Sequence, residues 1–147
     1  MTLLTKAGRL TEPTSLGDQA ITELGFQPKA VLFFTVGSNT ETAAVNYRYG
    51  QGMATSSTSM CAMSGEATDN ATSGGKDSKS RQNGAVCIQV TTAPSVGVTV
   101  ISEAVLKTMD ADGFTVTWSG VSSFSIFIYY WALGGTDLTG ASIVEFV

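Results

Sequence analysis

The sequence contains no histidine, and its 147 residues include only two cysteines and three prolines. The lack of histidine excludes Ser-His-Asp and Cys-His catalysis, as well as the usual general base of neutral pH. Two cysteines provide neither a disulfide framework nor the ligands of a structural zinc site. We therefore expect no enzymatic activity, no cofactor and no bound metal.

Charged side chains are also scarce, at 14% of the residues with a net charge of −4. A typical globular chain has about a quarter. No basic cluster is large enough to hold nucleic acid by counterion release, so we expect no nucleic-acid partner. A surface with little charge suits a protein that packs against other subunits.

Long apolar runs are absent, and the first residues (MTLLTKAGRLTEP) lack the apolar core of a signal peptide. We expect no membrane association, and synthesis and folding in a cytoplasm. The cysteines, Cys61 and Cys87, are then expected to be small buried apolar side chains. Their spacing in the sequence does not determine whether Cys61 and Cys87 form a disulfide bond.

The densest apolar segment is 123–133 (SFSIFIYYWAL), which contains the second of the two tryptophans. Its β-branched and aromatic residues, bounded by Gly-containing turns, predict a core strand that becomes buried on both sides. The alternation places two sets of side chains on opposite faces. One set is Phe124, Ile126, Ile128 and Tyr130, and the other is Phe127, Tyr129 and Trp131.

The rest of the chain alternates short apolar strands with turn residues, and no window has helical periodicity. The fold class predicted is all-β: a single-domain antiparallel β-sandwich over residues 1–147, with a jelly roll as the favoured topology. The other predicted strands are 3–10, 19–24, 29–36, 43–55, 58–65, 84–91, 97–107, 114–118 and 141–147.

One segment, 66–83 (EATDNATSGGKDSKSRQN), has no large apolar residue. Such a segment cannot bury enough area to offset its ordering entropy, so it predicts a long exposed polar loop. Its cations, Lys76, Lys79 and Arg81, are nearly balanced by acidic neighbours.

Several motifs suggest chemistry only weakly. Residues 110–113 (DADG) resemble the start of a calcium loop but lack the later ligands, so a turn is favoured. Residues 134–137 (GGTD) are a strand-end turn rather than a phosphate loop, since no lysine follows. Glu12, Asp18 and Glu23 could pair as glycosidase carboxylates, but exposed turn acids are the favoured interpretation.

Aromatic residues raise the question of a sugar-stacking platform. Tyr47, Tyr49, Trp118 and Trp131 could form one, although aromatics at strand spacing are more often core residues. Tyr47 and Tyr49, which flank Arg48, are the better candidates because their segment is predicted to be half exposed.

Three stretches resemble segments of small β-rich structural proteins of tailed bacteriophages. They are 17–34 (GDQAITELGFQPKAVLFF), 112–118 (DGFTVTW) and 129–135 (YYWALGG). Each is a turn or strand segment and so marks the fold, and no catalytic residue is among them. The resemblance implies a decoration or cement-like β-sandwich that serves as a virion component.

A capsid decoration (cement) protein fits these features best. Such a protein binds the assembled phage head and stabilises contacts between capsomers by mass action. The expected partners are the major capsid protein and further copies of the chain, possibly as a trimer, on the capsid surface of the virion. The predicted interface residues are Tyr47, Arg48, Tyr49, Lys76, Lys79, Arg81, Phe146 and Val147.

Other functions stay open. A receptor-binding or tail-fibre head domain, or another tail subunit, would contact a host glycan or protein through the same residues. The heptads of a trimeric stalk, which would favour a tail fibre, are absent. A tail-tube or head–tail connector subunit and a sugar-binding module outside any virion are further alternatives.

Overall fold

The computed structural model describes residues 2–36, 46–68, 77–93, 97–123 and 125–139. These residues form ten strands and no helix, so no helix in the described part could cross a membrane. The strands are β1 (Leu3–Thr11), β2 (Gly17–Ile21), β3 (Pro28–Thr35), β4 (Asn46–Ser56), β5 (Ser59–Thr68), β6 (Asp77–Asn83), β7 (Cys87–Ala93), β8 (Gly97–Asp110), β9 (Gly113–Gly120) and β10 (Phe127–Gly135).

The described strands form two antiparallel sheets, which confirms the predicted β-sandwich. One sheet has six strands in the order β1-β10-β3-β4-β5-β6, and the other has four in the order β2-β9-β8-β7. β1 pairs with β10 and β2 pairs with β9, so strands from the two ends of the chain are neighbours in each sheet. In contrast, β3 to β6 form a meander within one sheet.

Aromatic side chains from both sheets meet in the core. Phe114 of β9 lies against Phe33 of β3 and Tyr130 of β10, with ring centroids 5.6 and 5.2 Å apart and edge-to-face geometry in both pairs. Phe33 and Tyr130 are themselves cross-strand partners. The Tyr130 ring extends over Gly8 of β1, where a Cβ atom would lie 2.3 Å from the hydroxyl oxygen. Glycine at this position therefore makes room for the ring.

The prediction that the strand around Trp131 is buried on both sides is wrong. Ile128 and Tyr130 of β10 are buried, whereas Tyr129 and Trp131 are 40% and 47% exposed. The strand itself also begins later than predicted, at Phe127, and Phe124 lies outside the described residues. Apolar side chains on both faces predict two apolar surfaces, but only tertiary packing decides whether a second layer covers each one.

The prediction of one loop over residues 66–83 is wrong at both ends. Strand β5 continues to Thr68, and β6 covers Asp77–Asn83. The two strands pair from Cys61 with Asn83 to Ala67 with Asp77. Backbone hydrogen bonds hold this polar strand at the sheet edge, which side-chain composition does not reveal. Residues 69–76, and the predicted strand 141–147, lie outside the described residues.

The segments 17–34 and 112–118 contact each other. The Asp112 carboxylate accepts backbone hydrogen bonds from Glu23 (3.1 Å) and Gly25 (2.5 Å). The Trp118 indole Nε1 donates to Gln19 Oε1 at 3.0 Å. The predicted turn after Asp110 thus forms, and its Asp112 side chain holds the turn after β2 in place. The two segments therefore form a single structural unit.

Glu12 is buried, although an exposed turn acid was the favoured interpretation. Its Oε1 accepts hydrogen bonds from Ser102 Oγ (2.5 Å) and the Ser122 backbone N–H (2.9 Å), and its Oε2 accepts one from Ser122 Oγ (2.5 Å). The carboxylate joins the end of β1 to β8 and to the segment before β10. A buried carboxylate is tolerated when donors satisfy it, as they do here.

Asp18, the second of the three acids, is exposed as predicted. Its carboxylate accepts hydrogen bonds from Lys107 Nζ and from Thr117 Oγ1 (2.6 Å), which lower its pKa below the ordinary value. Because the folded-state pKa is depressed, the stabilisation is present above the unfolded-state pKa and is lost as the pH falls through the folded-state pKa. Glu23 is also exposed, with a φ of 67°.

Replacement of Glu12 tests whether its hydrogen bonds to Ser102 and Ser122 stabilise the fold. Glu12→Ala should lower the free energy of unfolding by about 3 kcal/mol, because it leaves buried donors without an acceptor. Glu12→Gln, which keeps one side-chain oxygen, should cost about half as much. Urea denaturation measures both changes, and an alanine variant as stable as the parent protein would contradict the assigned role.

Candidate interaction surface

The six-stranded sheet has one surface that faces away from the four-stranded sheet, which we call the outer face. Side chains alternate along a strand, so the residues between the buried core positions lie on it. Its largest apolar members, all partly or well exposed, are Leu32 and Phe34 of β3, Met53 of β4, Met63 of β5, and Tyr129 and Trp131 of β10.

Strand register arranges these side chains in two rows across the sheet. One row is Ala7, Trp131, Leu32, Met53 and Cys61, and the next is Arg9, Tyr129, Phe34, Gln51 and Met63. The aromatic side chains therefore lie on β10 and β3, and the methionines on β4 and β5. The outer face has an aromatic half and a methionine half.

Several large apolar side chains of the outer face are well exposed to solvent. Met53 and Met63 are 42% and 50% exposed, and Phe34 is 36% exposed. The five residues of each row include no carboxylate. Arg9, at one edge of the sheet, has its guanidinium carbon 4.1 Å from the Phe127 ring centroid, and Arg81 of the opposite edge strand β6 pairs in register with Met63. Contiguous exposed apolar surface of this kind marks a binding surface.

A shallow apolar depression lies in the methionine half. Gln51, Met53, Cys61 and Met63 surround it, and Gly52 and Ala62 lie between them. Gly52 is required here, because a Cβ atom would lie 1.7 Å from the Val86 carbonyl oxygen on the inner side of the strand. Gly52 therefore allows the backbone of β4 to approach Val86 closely on the inner side of the sheet.

The predicted interface residues are placed differently by the structure. Tyr49 is exposed on the outer face, where its ring lies beside Gly65. Arg48 is turned inward, and its Nε and Nη2 donate to Glu66 Oε1 at 3.0 and 2.9 Å. Arg48 and Glu66 therefore form an ion pair within the fold.

The other predicted interface residues are only partly described. Tyr47 belongs to β4, and Lys79 and Arg81 belong to β6, paired in register with Gly65 and Met63, but their side chains lie outside the described part. Lys76, Phe146 and Val147 lie outside the described residues altogether.

The sequence does not predict the outer face as one surface that spans β10, β3, β4 and β5. Its residues on β3 and β10 belong to segments with apolar side chains on both faces, which predict burial on both sides, whereas the segment with Tyr47 and Tyr49 is predicted to be half exposed. The available signal was spacing: Met53 and Met63 alternate with small buried residues, Ala54 and Ala62. The aromatic platform considered above does not form, since Trp118 is a core residue of the other sheet.

The cysteines are both free thiols in different environments. Cys87 is buried as predicted, whereas Cys61 is half-buried on the outer face. Burial, together with the nearby negative charge of Glu12, raises the pKa of the Cys87 thiol far above its ordinary range. Among the described residues, no group of three or more His, Cys, Asp or Glu could hold a metal ion.

No protein-family model, curated protein or solved structure matches this chain. The surface geometry and the motif segments therefore carry the functional inference.

The two tryptophans form a matched pair for testing the outer face. Trp118 is 2% exposed and Trp131 47% exposed. Trp118→Ala should lower the free energy of unfolding by about 3–5 kcal/mol through loss of core packing. Trp131→Ala should cost about 1 kcal/mol, since much of its ring is already in water. Equal losses in chemical denaturation would show that Trp131 belongs to the core.

Thiol labelling distinguishes the half-buried Cys61 thiol from the buried Cys87 thiol by their reactivity. In the native protein, Ellman's reagent should modify Cys61 and leave Cys87 unmodified, because only a thiolate reacts and Cys87 is buried with a raised pKa. Denaturation should release the second thiol. A Cys61→Ser variant serves as the control, and rapid native labelling of that variant would contradict the assigned burial of Cys87.

Proposed function

We propose that this chain is a structural protein of a tailed-phage virion, without enzymatic activity. Its role is that of a capsid decoration (cement) protein, which binds the assembled head and stabilises contacts between capsomers. The resemblance of residues 17–34, 112–118 and 129–135 to phage structural proteins supports this assignment. The contacts from Asp112 to Glu23 and Gly25, and from Trp118 to Gln19, tie two of these segments together.

The observation that carries the proposal is the composition of the outer face. Aromatic residues, methionine and arginine are enriched in the cores of protein interfaces, whereas lysine and carboxylates are depleted. The two rows follow this pattern, with Trp131, Tyr129, Met53, Met63 and Arg9 as members. A surface of this type supports a protein that functions by association with other subunits.

A decoration protein stabilises the shell because it binds the assembled state and not the free subunits. A protein that binds only the assembled shell stabilises it by about 2.7 kcal/mol per site when its free concentration is 100 times the dissociation constant. This requires a rigid surface rather than a reactive group. Sheet pairing and the edge-to-face contacts of Phe114 with Phe33 and Tyr130 provide that rigidity.

A receptor-binding domain or other tail subunit is the second candidate. Tyr129 and Trp131 are exposed on the same side of β10, and two neighbouring exposed rings can stack on the apolar faces of a sugar. In that case the outer face would contact a host glycan.

A comparison of phage particles assembled with and without the protein distinguishes capsid decoration from receptor binding. Decoration predicts many copies distributed over the head, and particles without the protein that lose their contents at lower temperature. A Met63→Glu variant should bind particles more weakly, whereas Val100→Glu, at an exposed position of the four-stranded sheet, should bind normally. A few copies at the tail tip, with unchanged head stability and lost adsorption, would favour the second candidate instead.

A further inference from the structure

We propose that the outer face binds the outer face of a second copy of this chain, which gives a dimer with two-fold symmetry. The inference depends on the described surface and not on the virion assignment. If the chain decorates a capsid, the dimer binds the shell through surfaces other than the outer face and can bridge two capsomers, and a Met63→Glu variant binds particles more weakly because it loses this two-site attachment.

The position of β3 makes the outer face self-complementary. Strand β3 lies between β10, which carries the aromatic side chains, and β4, which carries Met53. A two-fold axis that runs parallel to β3, midway between two facing sheets, places β10 of each copy over β4 of the other. Trp131 and Tyr129 then face the partner's methionine half, where sulfur–aromatic contacts are favourable.

The size of the sheet fits a dimer interface. With the axis over β3, the five strands β1, β10, β3, β4 and β5 face those of the partner, and at about 4.8 Å spacing with nine residues at about 3.3 Å each they span roughly 24 by 30 Å. This area is close to the roughly 800 Å² that each partner contributes to a standard interface. Packing of one sheet on another at about 10 Å is also the arrangement by which a sandwich forms its own core.

The charge distribution favours a second copy over an acidic partner. The charged residues in register with the second row lie at the two edges of the sheet, Arg9 on β1 and Arg81 on β6, and the four strands between them contribute only uncharged side chains to the rows. An acidic partner would bury carboxylates against this uncharged centre, at a large desolvation cost. A second copy instead covers apolar surface with apolar surface.

Sedimentation equilibrium of the full chain tests the dimer. The parent protein should sediment as a dimer, and Trp131→Glu and Met53→Glu should each weaken association by at least about 100-fold, because each buries a carboxylate in the interface. Val100→Glu is the matched control, since Val100 is 41% exposed but lies on β8 of the other sheet, and it should dimerise normally. Circular dichroism verifies that each variant is folded.

Tryptophan fluorescence gives a second readout that identifies the face. Trp118 is buried within the subunit, so a change in emission on dilution should report Trp131. Dilution of the dimer should shift the emission to longer wavelength as Trp131 becomes hydrated. In a Trp131→Phe variant the shift should be absent while dimerisation, measured by sedimentation, persists.

Several outcomes would overturn the inference. These are a monomeric parent protein, a dimer that both glutamate variants leave intact, and a trimer, which a two-fold axis cannot produce. A monomer that still occupies phage heads would refute the dimer and leave the decoration role standing. A dimer sensitive to both variants but absent from particles would support the dimer and refute the decoration role.

Discussion

The insertion of Phe114 between Phe33 and Tyr130 is the contact on which the rest of the structure depends. It joins β9 of one sheet to a cross-strand pair of the other, with edge-to-face geometry on both sides. Gly8 completes the arrangement by leaving space for the Tyr130 ring. Because side chains alternate along a strand, fixing Tyr130 inward also fixes Tyr129 and Trp131 outward, and a slip of one residue would exchange the two faces.

This constraint explains why the outer face can carry a function. The inner side chains of β3 and β10 supply the core, so the outer ones contribute little to folding and are free to form contacts with another molecule. The backbone beneath them is held on both sides by neighbouring strands. The aromatic and methionine side chains are thus presented on a rigid support, which reduces the entropy lost on association.

The acidic residues that suggested chemistry instead hold connections in place. Glu12 satisfies serine donors from β8 and from the segment before β10, and Asp112 satisfies backbone donors of a turn distant in the sequence. Both carboxylates replace water as the partner of groups that folding would otherwise leave unpaired. The segments 17–34 and 112–118 are therefore joined by contacts that define the fold.

Alternation with a two-residue period and the positions of turn residues were sufficient to predict the all-β class, the sandwich and most strand positions, because both are local properties of the chain. Three features could not be predicted in this way: the exposure of Trp131, the burial of Glu12 and the edge strand formed by the polar residues 77–83. Each depends on partners far away in the chain: the pairing of β10 with β1, the serines of β8, and the backbone of β5. A local pattern shows which side chains share a face, but not which faces remain uncovered when the sheets have packed.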